Sequence, residues 1–392
     1  MTVNLYEEFN GYYDEIVSWR RFLHQNPELS FKESNTSKFI AEKLRSFGLK
    51  VREGVGGNGV IGVIEGGKPG KTIAFRADFD ALPIHDEKEV SYKSKLDGVM
   101  HACGHDGHTA SLLGVAKTLS KHSEHLNGKV VLLFQHAEEK PPGGAKFMIE
   151  DGALDGIDVV FGGHLATEIQ IGNIATRVGP VMASVDAFKI TLQGRGGHGA
   201  RPHETIDTIA IGSELISHLQ QIVSRRINPM EPAVVTIGSF HAGNAFNIIA
   251  DSAEIEGTVR ALSLDVRKKI EDEIRAILEG IKEADHINYT LDYLNGYPVL
   301  VNHKEEATLI ENIVKKTMST DSFVEKAISL GAEDFAYYLE IRPGAYFHVG
   351  ARNDRQETQF PHHHPQFDFD EKALLDLGNI FLQLTNHYLI SK

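Results

Sequence analysis

The chain has 392 residues, 41% of them hydrophobic, more than one core usually organises, so two domains are expected. Its 40 Lys+Arg against 54 Asp+Glu give a net charge of −14, which argues against nucleic acid as a partner, because affinity for a phosphate backbone rests on basic residues. The amphipathic N-terminal segment has no signal-peptide-type run and no later stretch is long enough to span a bilayer, so a cytoplasmic protein with no membrane partner is expected. A single cysteine, Cys103, excludes an internal disulfide and leaves that thiol as a core residue, a nucleophile or a metal ligand.

Residues 5 to 47 read as two helices broken near Asn26-Pro27, with Phe39, Ile40, Leu44 and Phe47 on an apolar stripe. Short β-branched and aromatic runs follow at 60–64, 72–75, 130–134 and 159–161, with a helical pattern at 110–119. That alternation predicts an α/β domain with a mostly parallel sheet, in which ligands bind beyond the carboxyl ends of the strands. The residues after each run are Asp78 and Asp80, then His136, Glu138 and Glu139, then His164. From about Ala183 the order becomes β-α-β-β-α-β, the ferredoxin-like split pattern, and predicts an inserted α+β domain over 183–295. The α/β pattern resumes with a strand at 345–349 and an amphipathic helix at 371–389, capped by Asp368 or Asp370.

Several histidine groups carry candidate chemistry. In Met100-His-Ala-Cys-Gly-His-Asp-Gly-His108, Cys103 and His105 enter a helix from a glycine-containing loop, where both can face one ion; a buried cysteine beside surface histidines is the plainer alternative. Adjacent Glu138 and Glu139 point to opposite sides of extended backbone, so one could ligate metal while the other acts as general base. Gly162-Gly-His164 and Pro361-His-His-His-Pro365 complete the set. Gly194-Arg-Gly-Gly-His-Gly199 fits a dinucleotide turn in spacing only. The helix after it is too long to lead into a strand bearing an acidic residue some twenty positions on, so His198 is read instead as a substrate-facing group or an exposed turn residue.

Taken together, the motifs resemble the metal-dependent aminoacylase and carboxypeptidase family, in the branch of hippurate and auxin-conjugate hydrolases. The resemblance runs through Arg76-Ala-Asp-Phe-Asp-Ala-Leu-Pro83, the Met100–His108 segment, Gln135-His-Ala-Glu-Glu139, Gly162-Gly-His164, Gly196-Gly-His-Gly-Ala-Arg-Pro-His203, Asn244-Ala-Phe-Asn-Ile-Ile249, Glu256-Gly-Thr-Val-Arg260, Gly331-Ala-Glu-Asp-Phe335 and His363-His-Pro365. It implies a catalytic domain of 1–182 with 296–392, and a lid and dimerisation domain of 183–295 that makes a dimer or tetramer. It also implies two divalent ions, Mn2+ favoured over Zn2+, with Cys103 bridging and His105, Glu139, His164 and His363 as ligands. His363 is chosen within the histidine run because the family's ligand stands two before the proline. Glu138 matches the general base, Asp80 the acid behind the metal shell, and His198, Asn247 and Arg260 the groups that meet oxyanion and substrate carboxylate. The implied reaction is hydrolysis of an amide in an N-acyl amino acid or short peptide.

The sequence departs from the family pattern at His136, at Lys140-Pro-Pro142 and at Ala250, all near the cleft, which bears on substrate choice. Two other readings stand beside this one. A Cys103 nucleophile activated by His105 or His101 leaves Glu138, Glu139, His164 and His363 without a role, and a non-catalytic metal- or ligand-binding protein has no need of Glu138.

Overall fold

The structure, a computed structural model, describes residues 4–390. The chain divides into two compact units: one runs up to Val181 and includes Val301–Ala327 and the chain from Asp334 on, and the other is Met182–Leu300 with Ile328–Glu333. The observed boundary thus falls a few residues outside 183–295 and adds a short return segment.

The first unit is organised by an eight-stranded sheet. Its order is Lys50–Val55, Gly59–Glu65, Asn127–Gln135, Lys68–Asp78, Val159–Gln170, Gly344–Arg352, Ile174–Thr176, Phe323–Glu325. The four central strands are mutually parallel, whereas Lys50–Val55, Gly59–Glu65 and Ile174–Thr176 bring antiparallel pairings toward the edges. Parallel strands buried on both faces need continuous apolar sequence, and Val130–Phe134 and Ile73–Phe75 supply it with almost no exposed side chain.

The helices His105–Lys121 and Ala373–Leu389 pack on these strands. Phe381 of the latter lies 4.7 Å from Phe75 and 5.6 Å from Phe347, centroid to centroid, locking helix to sheet through rings that each contribute about 1.5–3 kcal/mol by burial.

Two expectations change here. The N-terminal segment forms three helices, Leu5–Gly11, Tyr13–Gln25 and Ser34–Ser46, because the chain also breaks at Gly11-Tyr12. The strand at 159–161 continues to Gln170, so His164 sits within a strand and not at its end. Glycines 162 and 163 make that possible: a Cβ on Gly162 would lie 2.8 Å from the Tyr346 ring on the neighbouring strand.

The second unit is a four-stranded antiparallel sheet in the order Ala233–Ala242, Ser252–Ala261, Ser184–Gln193, Asn288–Asn295. Its helices Thr208–Gln221 and Leu264–Asp285 contribute Leu215, Leu219, Ile270, Ile274 and Leu278 to a separate core with Phe188, Ile190 and Ile255. Among the described residues no helix is long and apolar enough to cross a membrane.

Candidate metal centre

Four segments of the first unit converge with the histidine run 362–364. The strand Lys68–Asp78 delivers Asp78 and Asp80, the turn before His105–Lys121 delivers Cys103 and His105, the end of Asn127–Gln135 delivers Glu138 and Glu139, and Val159–Gln170 delivers His164. Gly104 turns the chain between Cys103 and His105 with φ +95°, a left-handed value that glycine takes without penalty. The thiol and the imidazole can therefore face inward together.

The result is two triads that share the cysteine. Cys103, His105 and Glu139 form one, and Cys103, His164 and His362 the other, the potential ligand atoms of each lying within 4.8 Å of one another. The Cys103 Sγ is 3.5 Å from His164 Nε2 and 3.7 Å from His362 Nδ1. His105 Nε2 is 3.8 Å from Glu139 Oε1. His363 lies outside both triads: its side chain is 53% exposed and its Nε2 is 3.3 Å from Glu139 Oε1.

Hydrogen bonds at the far side of each ring decide which nitrogen is available. His164 Nδ1 donates to its neighbour's carbonyl, Leu165 O, at 2.7 Å, leaving Nε2 to face the thiol. His105 Nδ1 donates to Asp80, at 3.0 Å to its carbonyl and 3.2 Å to Oδ1, leaving Nε2 directed at Glu139. Asp80 is itself held by Ser30 Oγ at 2.7 Å and by the Glu139 amide at 3.0 Å. Such outer partners fix tautomer and ring orientation in metal sites.

His108, one turn along the helix from His105, takes a structural part that the motif did not reveal. Its Nε2 accepts from the Leu165 amide at 2.9 Å while its Nδ1 donates to Asp78 Oδ1 at 2.6 Å. Burial pushes its pKa down to about 4, so it stays neutral. Arg76 closes the layer behind, paired to Asp78 and, at 2.8 Å, to both Gln135 and Asp334.

The charge balance asks for a cation. Burial alone would raise Asp78, yet Arg76, His105 and His108 hold it well below the usual carboxylate range. Burial opposes a charge on His105, but Asp78, Asp80 and Glu139 outweigh it and lift its pKa to about 10, so the ring keeps a proton among carboxylates. Cys103 is raised well above its ordinary value by burial and then by Glu139 and Glu138. His105 Nε2 and Glu139 Oε1 are buried without a hydrogen-bond partner among the described residues. With Nδ1 tied to Asp80, His105 can give up its Nε2 proton to a divalent cation that meets this nitrogen and Glu139 Oε1 together, and the sulfur, nitrogen and oxygen donors suit such an ion chemically.

Glu138 is 7% exposed, and its carboxylate lies within 4.8 Å of that of Asp334. His198, Asn247 and Arg260 belong to the second unit. There His198 pairs with Ile248 in a two-residue ladder, and the Gly199 amide donates to Asn247 O at 2.9 Å, so His198 and Asn247 lie side by side on exposed loops. That ladder, absent from a phosphate-binding turn, accounts for the Gly194–Gly199 segment. Arg260 lies in the strand Ser252–Ala261, part-buried, with its pKa lowered by desolvation.

Comparison with known proteins identifies the family. The model of peptidase family M20/M25/M40 matches residues 74–387. The chain is 44% identical to thermostable carboxypeptidase 2 of Saccharolobus solfataricus over 95% of this chain and 96% of that one. It is 45% identical to an N-acyl-L-amino acid amidohydrolase of Geobacillus stearothermophilus over 74% and 79% of the two chains. The crystal structure of the Bacillus subtilis YXEP protein, a dinuclear metal-binding peptidase of the M20 family, superposes with a TM-score of 0.82 at 34% identity, covering 96% of this chain and 98% of that one. Sequence, sheet topology and the paired donor triads thus lead to one conclusion: the chain belongs to peptidase family M20/M25/M40 and is an amidohydrolase.

Proposed function

We propose that the chain hydrolyses the amide bond of N-acyl amino acids or short peptide-like substrates, using two divalent cations and Glu138 as general base. The observation that carries this reading is the pair of donor triads sharing Cys103, with the outer nitrogens of His105 and His164 already tied. Cys103 would hold both ions, His105 and Glu139 one of them, and His164 and His362 the other. His362 is proposed from its place 3.7 Å from the thiol; the His363 of the family resemblance, with Nε2 3.3 Å from Glu139 Oε1, is the alternative ligand from the same run.

When bound, the cations supply a water of lowered pKa and a positive centre for the carbonyl oxygen. Glu138, nearly buried beside the centre, takes the proton of the attacking water and passes it to the leaving amine. Asp80 and Asp78 act through the histidines they orient. His198 and Asn247 are assigned to the developing oxyanion and Arg260 to the substrate carboxylate, with the second unit serving as lid and as contact between copies in a dimer or tetramer. Relatives named as a carboxypeptidase and an N-acyl-amino-acid amidohydrolase support the substrate class. Mn2+ is favoured; the thiolate makes Zn2+ the alternative.

A cysteine nucleophile finds no support here. Nucleophilic thiols need a depressed pKa, and Cys103 is pushed the other way by burial and two glutamates.

The test is amine release from a panel of N-acyl amino acids and dipeptides by protein stripped with chelator and resupplied with Mn2+ or Zn2+. Glu138→Gln should keep both metals and lose about 10²–10⁴ in kcat. Full turnover in that variant, or undiminished turnover after stripping, would sink the mechanism. His362→Ala should lower metal stoichiometry and His363→Ala should not; the reverse result returns the ligand to His363.

A further inference from the structure

The Ala137-Glu138-Glu139 tripeptide is held at one end by Glu33 and at the other by Asp80. Ala137 has φ +52°, a left-handed value unfavourable for a residue with a Cβ, and it is fully buried. Its amide donates to Glu33 Oε1 at 2.8 Å, and its carbonyl accepts from the Gly144 amide at 3.0 Å. The carboxylate of Glu33, itself fully buried, also accepts from Asn58 Nδ2 at 2.9 Å. Two residues on, the Glu139 amide donates to Asp80, which Ser30 anchors. Glu33 thus holds the Ala137 end directly and Ser30 the Glu139 end through Asp80, from a single turn tied to the chain just beyond the strand Lys68–Asp78 by the Ala81 amide on Glu28 O at 2.8 Å.

We propose that Glu33, with Ser30, is a positioning residue for the reaction: its bond to the Ala137 amide holds the left-handed turn that aims Glu138 and Glu139 to opposite tasks. The inference rests on the assignment of Glu138 as base. Ala137 cannot adopt this conformation for nothing, since an alanine released from its bonds relaxes to negative φ and swings the side chains that follow. Burial lifts the pKa of Glu33 to about 7, and in either protonation state its Oε1 can accept the Ala137 amide; a buried bond of this kind, whose loss would leave the amide unsatisfied, is able to oppose that relaxation.

The experiment compares variants of the metal-loaded enzyme by kcat, KM and metal stoichiometry. Glu33→Ala should lose about 10²-fold in kcat, the scale of a misplacement of roughly 1 Å, with KM little changed. Glu33→Gln should stay near wild type, since its amide oxygen still accepts from Ala137 and the Asn58 amide can turn its oxygen to the new NH2. The double variant Glu33→Ala/Ala137→Gly should recover about tenfold or more, because glycine holds φ +52° unaided. A hole in the core would not be mended by removing a methyl group elsewhere.

If Glu33→Ala does not fold, Glu33→Asp carries the same test, being charged but too short to reach the Ala137 amide. A folded Glu33→Ala, or Glu33→Asp in its place, with wild-type kcat, or a loss that neither Gln nor the added glycine recovers, overturns the proposal. Glu138→Gln separates the two levels: if it is inactive while Glu33 variants are normal, only the positioning role falls, and if it is fully active, the base assignment and the positioning role fall together.

Discussion

Two buried ionic clusters in the first unit begin at adjacent residues, His105 and Asp106, and differ in how they are closed. Around Asp106 each acid meets a cation. Arg20 pairs with Asp106 at 2.9 Å, Asp368 at 2.8 Å and Glu371 at 3.2 Å, and His24 joins Asp106 at 2.7 Å to Asp86, which also faces Lys88. Around His105, Asp80 and Glu139 meet no Lys or Arg among the described residues, and Arg76 pairs with Asp78 and Asp334 in the rear layer. The first cluster is complete from the chain alone. The second is balanced only by a proton on His105 or by added cations, which is why charge balance, more than the number of histidines, separates architecture from chemistry here.

Four changes break or sharpen that contrast, from the largest expected effect to the smallest. Cys103→Ala removes the donor common to both triads, and should lower metal content measured by elemental analysis and reduce turnover by at least about 10³-fold, the several kcal/mol that bound cations contribute. Its unfolding midpoint without metal should barely move; a folded Cys103→Ala with normal metal and turnover would erase the distinction between the clusters.

Arg20→Ala should do the opposite. It takes their shared guanidinium from buried Asp106 and Asp368, leaving them His24 and Tyr92 as side-chain partners, and should cost about 3–5 kcal/mol in urea unfolding, while the fraction still folded retains its metal. A cost under 1 kcal/mol would show the network to be ornamental.

Asp78→Asn sits at the rear of the site, where it ties His108 and Arg76. Outer partners of this type are worth about 10–100-fold in metal affinity, so a chelator competition titration should shift by that factor with kcat at saturating metal reduced less. An unchanged titration would mean that Asp78 serves only the fold.

His101 gives the smallest effect near neutral pH, and one that grows with acidity. It is 2% exposed with both ring nitrogens unpaired, and burial lowers its pKa to about 3. Its unfolded pKa is about 6.5. Between those values the unfolded chain holds a proton that the folded chain refuses, so stability falls as pH drops from about 6.5 toward 3, by at most about 1.4 kcal/mol per unit from this group. His101→Leu should flatten that slope by up to this amount relative to wild type; parallel slopes would show that the ring finds a proton partner in the folded state.

Much of the centre was legible in the sequence because its residues follow apolar runs. Asp78, Asp80, Glu138 and Glu139 stand where a parallel sheet presents its carboxyl ends, and the two-residue spacing of Cys103 and His105 across Gly104, at a helix entrance, is readable without coordinates. His108 could have been found as well: three residues after His105 on one helix, it shares a face with it, and their rings lie 5.4 Å apart. The interior position of His164 was hidden because a glycine pair looks like a turn, and only the Tyr346 ring against Gly162 shows why it continues a strand.

The identity of the histidine in the run 362–364 could not be read from composition or spacing, since three identical side chains carry no register. The fold places two of them at the centre differently: His362 Nδ1 lies 3.7 Å from Cys103 Sγ, while His363, with φ +65° and its amide on Ala102 O at 2.8 Å, brings its Nε2 to 3.3 Å from Glu139 Oε1. Glu33 was invisible for a different reason. A glutamate opening a helix reads as a cap or a surface charge, and its partner amide lies 104 residues away. By itself the sequence determined the parallel sheet, the inserted β-α-β-β-α-β unit and the donor types, because periodicity and local spacing are properties of the chain. Which lone pairs face one another, and which buried acids are left without a cation, only the tertiary structure decided, because those depend on segments that meet across long stretches of chain and on the water their packing excludes.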